Sequence, residues 1–184
     1  GNTGLSHVNI TGNKSGGGVF VDGASVVNIV NSTISANYAV AGDNTEGGGG
    51  ISIPNGDAVV TIAHSVLDGN YANLGTGGGA IYNNGSDLTI VSSTLTNNFT
   101  NEASKGGGAI YTHNGTTTIS NSNISDNRVS DDSGDPAAGD GGGVYVGGTT
   151  ETASFSLSHS AVTGNRAPSR GAGLFIDSTS ATIA

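Results

Sequence analysis

The chain of 184 residues contains no cysteine, no methionine and no tryptophan, and it has only three prolines. Without cysteine it cannot be held together by disulfides. Lysine and arginine together number only five, and the formal net charge is −9, which disfavours nucleic acid as a partner because phosphate binding needs a basic face. No apolar run reaches the roughly 18 residues of a membrane-spanning helix, so we expect no membrane span in this segment.

What the sequence does contain is typical of a β-rich repeat protein. Glycine occurs 33 times, and serine, threonine and asparagine are abundant. Charged residues make up 10% of the chain, against about 25% in an ordinary globular domain. Hydrophobic residues still make up 34%, with many valines and isoleucines, so the chain is not a disordered tract.

One pattern recurs six times along the chain. Each unit has two aliphatic residues five positions apart, at Leu5/Ile10, Ile29/Ile34, Ile62/Leu67, Ile90/Leu95, Ile119/Ile124 and Leu157/Val162. An asparagine follows three residues later, at Asn13, Asn37, Asn70, Asn98, Asn127 and Asn165. A glycine-rich triplet and an apolar run close the unit, the triplets beginning at Gly16, Gly48, Gly77, Gly106, Gly141 and Gly171. Self-similarity at such a period indicates a solenoid.

Each unit predicts three short strands separated by turn residues. None is long enough to form a sheet alone, so we expect each strand to pair with its copies about 4.8 Å above and below it. The pattern therefore predicts an all-β parallel solenoid of about six coils, formed by a single domain over residues 1–184. Since the pattern is already present at Leu5 and continues to Ile183, we expect a segment of a longer protein or an open-ended assembly unit.

The recurring asparagine is predicted to be structural. Asparagine tolerates left-handed backbone and suits the turn that follows the second strand. Six asparagines in register are also expected to bond to one another as an amide ladder along the rod.

The residue after each asparagine forms a second column, which we name the stripe. Its members are Lys14, Tyr38, Tyr71, Phe99, Arg128 and Arg166. Stacked aromatic rings between cations are able to receive sugar rings or an extended peptide. Alternatively, the rings only shield the end of the apolar core.

Charge is distributed unevenly between the turns. All five cations lie between a repeat asparagine and the next glycines, in a loop of two to thirteen residues, whereas the opposite turns carry only acids. The longest loop contains four carboxylates, which could hold Ca²⁺ because that ion prefers oxygen ligands. These candidates are Asp131, Asp132, Asp135 and Asp140. A solvated acidic loop without a cofactor is the competing interpretation.

Two motifs resemble those of polymorphic outer-membrane autotransporter adhesins, within the broader pectate-lyase-like class. Gly78-Gly79-Ala80-Ile81 and Gly107-Gly108-Ala109-Ile110 match the glycine-glycine-alanine-aliphatic motif, and Leu95-Thr96-Asn97-Asn98 matches the second motif with leucine in place of phenylalanine. The resemblance implies a right-handed parallel β-helix that is secreted or displayed on a cell surface.

Two functions compete on the sequence alone. The first is a non-enzymatic extracellular rod, either an adhesin or a structural filament component, that contacts a surface protein or glycan or associates with itself end to end or side by side. The second is a carbohydrate-binding or carbohydrate-cleaving protein of the pectate-lyase-like class. No residue set nominates a nucleophile or a convergent carboxylate pair, so we expect no enzyme activity.

Overall fold

A computed structural model describes residues 2–40, 47–73, 76–101, 106–130, 139–148, 153–177 and 180–184. Within these ranges the chain forms 23 short strands and no helix. All strand pairs are parallel, and each strand pairs with its counterpart in the preceding or following repeat. This is the arrangement expected when short strands of one coil can complete their hydrogen bonds only with the next coil.

Four sheets run along the rod, and we name them A to D in the order in which each coil visits them. Sheet A comprises β1 (Asn2–Ser6), β4 (Val26–Val30), β8 (Val59–Ala63), β12 (Asp87–Val91), β16 (Thr116–Ser120), β20 (Ser154–Ser158) and β23 (Ser180–Ile183). Sheet B comprises β2 (Asn9–Thr11), β5 (Thr33–Ser35), β9 (Val66–Asp68), β13 (Thr94–Thr96), β17 (Asn123–Ser125) and β21 (Ala161–Thr163).

The other two sheets complete the coil. Sheet C comprises β6 (Tyr38–Val40), β10 (Tyr71–Asn73), β14 (Phe99–Asn101) and β18 (Arg128–Ser130). Sheet D comprises β3 (Val19–Phe20), β7 (Ile51–Ile53), β11 (Ile81–Asn84), β15 (Ile110–His113), β19 (Val144–Gly147) and β22 (Leu174–Ile176).

The parallel solenoid is confirmed, with two corrections to its details. The chain makes about five turns, slightly fewer than predicted, because the six strands of sheet B are separated by five turns of chain. The prediction of three strands per coil missed sheet C, whose three-residue strands begin at the residue after the repeat asparagine. We number the six repeat units as levels 1 to 6, from Asn13 to Asn165.

The core is a set of aliphatic columns inside the coil. Ile29, Ile62 and Ile90 are fully buried and lie directly above one another in sheet A. Ile34 and Leu67 are paired in the same way in sheet B. Burial of each aliphatic side chain stabilises the folded protein by about 1.5–3 kcal/mol. Because a slip of one residue in strand pairing would turn these side chains toward solvent, the columns fix the register of the strands.

Candidate functional site

The repeat asparagines form a continuous ladder at the corner between sheets B and C. At level 4, Asn98 donates from Nδ2 to Oδ1 of Asn127 and to the carbonyl of Leu67, both at 2.9 Å. Its own Oδ1 accepts from the backbone N–H and from Nδ2 of Asn70, both at 3.0 Å. All four hydrogen-bonding positions of the amide are therefore used inside the protein.

The same bonds recur along the rod. Side-chain amides join Asn13 to Asn37 at 2.8 Å and Asn127 to Asn165 at 2.9 Å, and the four inner asparagines are no more than 1% exposed. The predicted left-handed backbone at these asparagines is wrong, since none of the six has a positive φ. The residue just before each of them takes that conformation, at Gly12, Ala36, Gly69, Asn97, Asp126 and Gly164. Each asparagine side chain can therefore point inward while its neighbour makes the turn.

The four inner members of the stripe are the first residues of the strands of sheet C. Tyr38 and Tyr71 stack with ring centroids 4.9 Å apart, and Tyr71 and Phe99 stack at 4.6 Å. The guanidinium of Arg128 lies 4.3 Å from the centroid of Phe99. Both faces of Tyr71 and of Phe99 are thus covered by neighbours in the column, and only the ring edges remain available to a partner.

The two ends of the stripe carry the remaining cations. Tyr38 donates its N–H to the carbonyl of Asn13 at 2.8 Å, and Val40 donates to that of Ser15 at 2.9 Å, which places Lys14 beside Tyr38. At the other end Arg128 and Arg166 form a parallel β-bridge. Lys14, Arg128 and Arg166 are exposed, so the structure brings all six predicted residues into one column with charge at its ends.

A second aromatic column, on the outer side of sheet D, was missed by sequence reasoning. Tyr82, Tyr111, Tyr145 and Phe175 stack with centroids 5.5, 5.0 and 5.2 Å apart. Tyr82 and Tyr111 are only 3% and 1% exposed, because the glycine turns fold over them: a β-carbon on Gly77 would lie 3.3 Å from Cδ2 of Tyr111. The recurring aromatic residue in the middle of the third strand was the available signal.

The outer side of sheet D is buried at its middle levels. At levels 2 to 4 the chain itself covers that side, since every residue of β7 is buried and so are the first three residues of β11 and β15.

The calcium prediction rests mostly on residues outside the described ranges, namely Asp131, Asp132 and Asp135. The described member, Asp140, is bound by Arg170: Nη2 lies 2.7 Å from Oδ2, and Nε and the backbone N–H donate to Oδ1 at 3.2 and 2.8 Å. The described residues contain no group of three potential His, Asp or Glu metal ligands. A calcium ion therefore remains a prediction.

The Asp140–Arg170 pair sets the local electrostatics at the end of the second aromatic column. Burial raises the pKa of Asp140, but hydrogen bonds from Arg170 and Ser169 outweigh it, so the pKa is lowered overall. The pKa of Tyr145 is raised by burial and by the negative charges of Asp177 and Asp140. Arg170 also covers the ring of Phe175, with its Cζ 4.6 Å from the centroid, so the pair acts as a clamp between levels 5 and 6.

The continuous parallel sheets and the amide ladder define a single-chain parallel β-helix. The chain belongs to the right-handed beta helix region family, whose model matches residues 1–184. That family includes enzymes of the pectate-lyase-like kind as well as proteins without activity. Neither a curated protein nor a solved structure matches the chain. No helix in the described ranges has the length and apolar character needed to cross a membrane.

Proposed function

We propose that this chain is a non-enzymatic β-helical rod that works outside the cell, as an adhesive or structural element at a surface. The β-helix fold is associated with surface and carbohydrate-related proteins and often occurs extracellularly. The resemblance of its glycine and asparagine motifs to autotransporter adhesin repeats favours the adhesive or structural alternative.

The observation that carries the proposal is that the recurring polar side chains are used in contacts between coils. The amides of the inner ladder have no hydrogen-bonding position left for a ligand. A second ladder at the corner between sheets A and B behaves alike: Ser93 Oγ accepts from the backbone N–H of Ser65 at 3.1 Å and donates to the carbonyl of Val91 at 2.8 Å. Repetition here builds a stiff rod.

The carbohydrate alternative draws less support from the stripe than the sequence suggested. A sugar stacks on an exposed aromatic face. In the stripe those faces are occupied, since Tyr71 is covered by Tyr38 on one side and by Phe99 on the other. The hydroxyl of Tyr71 is engaged as well, donating to Oδ1 of Asn73 at 3.2 Å. The stripe then serves mainly to cover the edge of the core.

A panel of neutral and acidic polysaccharides tests the proposal. We expect no release of reducing ends and no unsaturated products at high protein concentration over a long incubation. Turnover of any polysaccharide would overturn the non-enzymatic assignment. Binding without turnover, lost in Tyr71→Ala and kept in the matched variant Tyr82→Phe, would instead indicate a carbohydrate-binding module. In both variants the fold is checked by circular dichroism.

A further inference from the structure

Two columns of opposite charge lie on opposite sides of the coil. The cations of the stripe follow the corner between sheets B and C, and the acids follow sheet D, at its corner with sheet A. Because the chain visits the sheets in the order A, B, C, D, these two corners face away from each other. We name the second column the acidic corner; its members are Asp22, Asp57, Asp87 and Asp177, all exposed.

The cations of the stripe are not neutralised within the described part of the chain. The ion pair found there joins Arg170 to Asp140, and none of the described carboxylates lies within ion-pairing distance of Lys14, Arg128 or Arg166. Arg128 and Arg166 also lie on adjacent levels, about 4.8 Å apart along the rod, so they repel each other. Among the residues that line their shared pocket, one carboxylate, that of Asp126, faces these two guanidinium groups, so one positive charge is left in excess and favours an external anion.

The two columns carry opposite charges on the same levels at both ends of the rod. The stripe and the acidic corner are carried by the same coils, so both repeat at the distance between levels. Levels 1 and 6 carry Lys14 and Arg166 on the stripe, and the same levels carry Asp22 and Asp177 on the acidic corner. These levels oppose each other whether two rods lie parallel or antiparallel, so opposite charges meet in both orientations.

We propose that these rods pack side by side, with the stripe of one copy against the acidic corner of the next. The inference rests on the proposed role as a structural rod. Each copy uses a different side for each neighbour, so the contact is heterologous and continues into an array. Exposed ion pairs are individually weak, and their complementarity mainly selects the partner and its alignment. Packing is therefore strongest where rods are held close together on a surface.

Charge reversal tests this packing by sedimentation velocity over a range of protein concentrations in about 0.1 M salt. The first variant carries Lys14→Glu with Arg166→Glu, and the second carries Asp22→Lys with Asp177→Lys. We expect the wild type to associate with rising concentration and to become monomeric near 1 M salt, where the screening length falls to about 3 Å. Each variant alone should associate at least about tenfold more weakly, and an equimolar mixture should regain association.

A control at the turns between sheets A and B tests whether added negative charge alone weakens association. Asn31→Asp with Asn121→Asp adds two negative charges at exposed positions outside both columns and should leave association unchanged. Monomeric wild type at every concentration, a mixture no stronger than its components, or loss of association in the control would each overturn the packing. None of these results depends on the outcome of the polysaccharide assay, so the packing and the proposed function can be refuted independently. Melting curves establish that every variant is folded.

Discussion

The two corners that flank sheet C change the direction of the chain in different ways. At the corner between sheets B and C, one residue with left-handed backbone makes the turn, and the side chain of the next residue places a buried amide into the ladder. At the corner between sheets C and D, the turn is made by glycines, because the backbone approaches the next coil too closely for a side chain. The first corner has the same length at every level, whereas the loop before the second varies from two to thirteen residues.

This difference shows how a β-helix combines a fixed rise with variable loops. The amide ladder sets the distance between levels, because each amide contacts the coils above and below. Beyond the loops, register is restored by backbone bonds such as Gly79 N–H to the Gly107 carbonyl at 3.1 Å and Ala80 N–H to the Ala109 carbonyl at 2.9 Å. Since a longer loop adds only a small entropy cost, insertions are tolerated there.

The largest effect is expected from breaking the ladder in its middle. Asn98→Ala leaves the buried carbonyl of Leu67 and the backbone N–H of Asn70 without their partners. Each unsatisfied buried group costs about 1–3 kcal/mol, so we expect the free energy of unfolding to fall by about 3–5 kcal/mol. Urea unfolding followed by circular dichroism measures the loss.

The control for this variant is the same change at the exposed end of the ladder. Asn13→Ala removes one donor from Oδ1 of Asn37, which still accepts from the backbone N–H of residue 13. A loss below about 1 kcal/mol is expected. Equal losses at the two positions would show that the ladder is not what holds the coils in place.

The sequence predicted those parts of the structure in which the same type of residue recurs at the same position of each repeat. The asparagine ladder and the stripe followed from one rule, that equivalent residues of successive coils lie above one another. Sheet C was missed because its short strands, such as Phe99–Asn101, lie in the variable loop and carry no recurring large aliphatic residue. The second aromatic column was also visible as a recurring aromatic residue, but its burial was not, because nothing in the sequence shows that the turn at Gly77 folds back over Tyr111.

The Asp140–Arg170 pair shows a different limit of sequence reasoning. Its members are 30 residues apart in the chain, and each stands just before a glycine triplet, in a column whose residue type changes from level to level. The acidic run that includes Asp140 suggested a metal ligand, whereas in the structure the carboxylate of Asp140 pairs with Arg170 of the next coil. Register places the two residues on adjacent levels, but a search for recurring residue identity does not detect a column whose residue type differs at every level.

The glycine corner is expected to respond to a single methyl group. Gly78 has a φ of +74°, and a β-carbon there would collide with the carbonyl oxygen of Ile81. Gly78→Ala should destabilise the protein by about 2–4 kcal/mol, because the left-handed conformation and the collision add together. Urea unfolding is again the measurement. Gly56→Ala is the control, since a β-carbon there would approach the protein no closer than 3.5 Å. If both variants kept wild-type stability, close backbone approach would not explain the glycine triplets.

The smallest effect is expected at the clamp beside the glycine corner, and it depends on pH. The pKa of Asp140 in the folded protein is lowered from 3.8, so its ionised form stabilises the fold above that value, and this stability is lost as pH falls through the lower, folded pKa. Melting temperatures of wild type and Asp140→Asn should therefore differ at neutral pH and begin to converge only once the pH falls below about 4. Other acids titrate equally in both proteins and cancel in the difference.

Arg170→Gln should reduce the same acid-dependent part of the melting temperature, because the hydrogen bond from the Arg170 side chain is the largest of the contributions that lower the pKa of Asp140. A difference that stayed constant from pH 7 to pH 2 would mean that Asp140 acts through its shape rather than its charge.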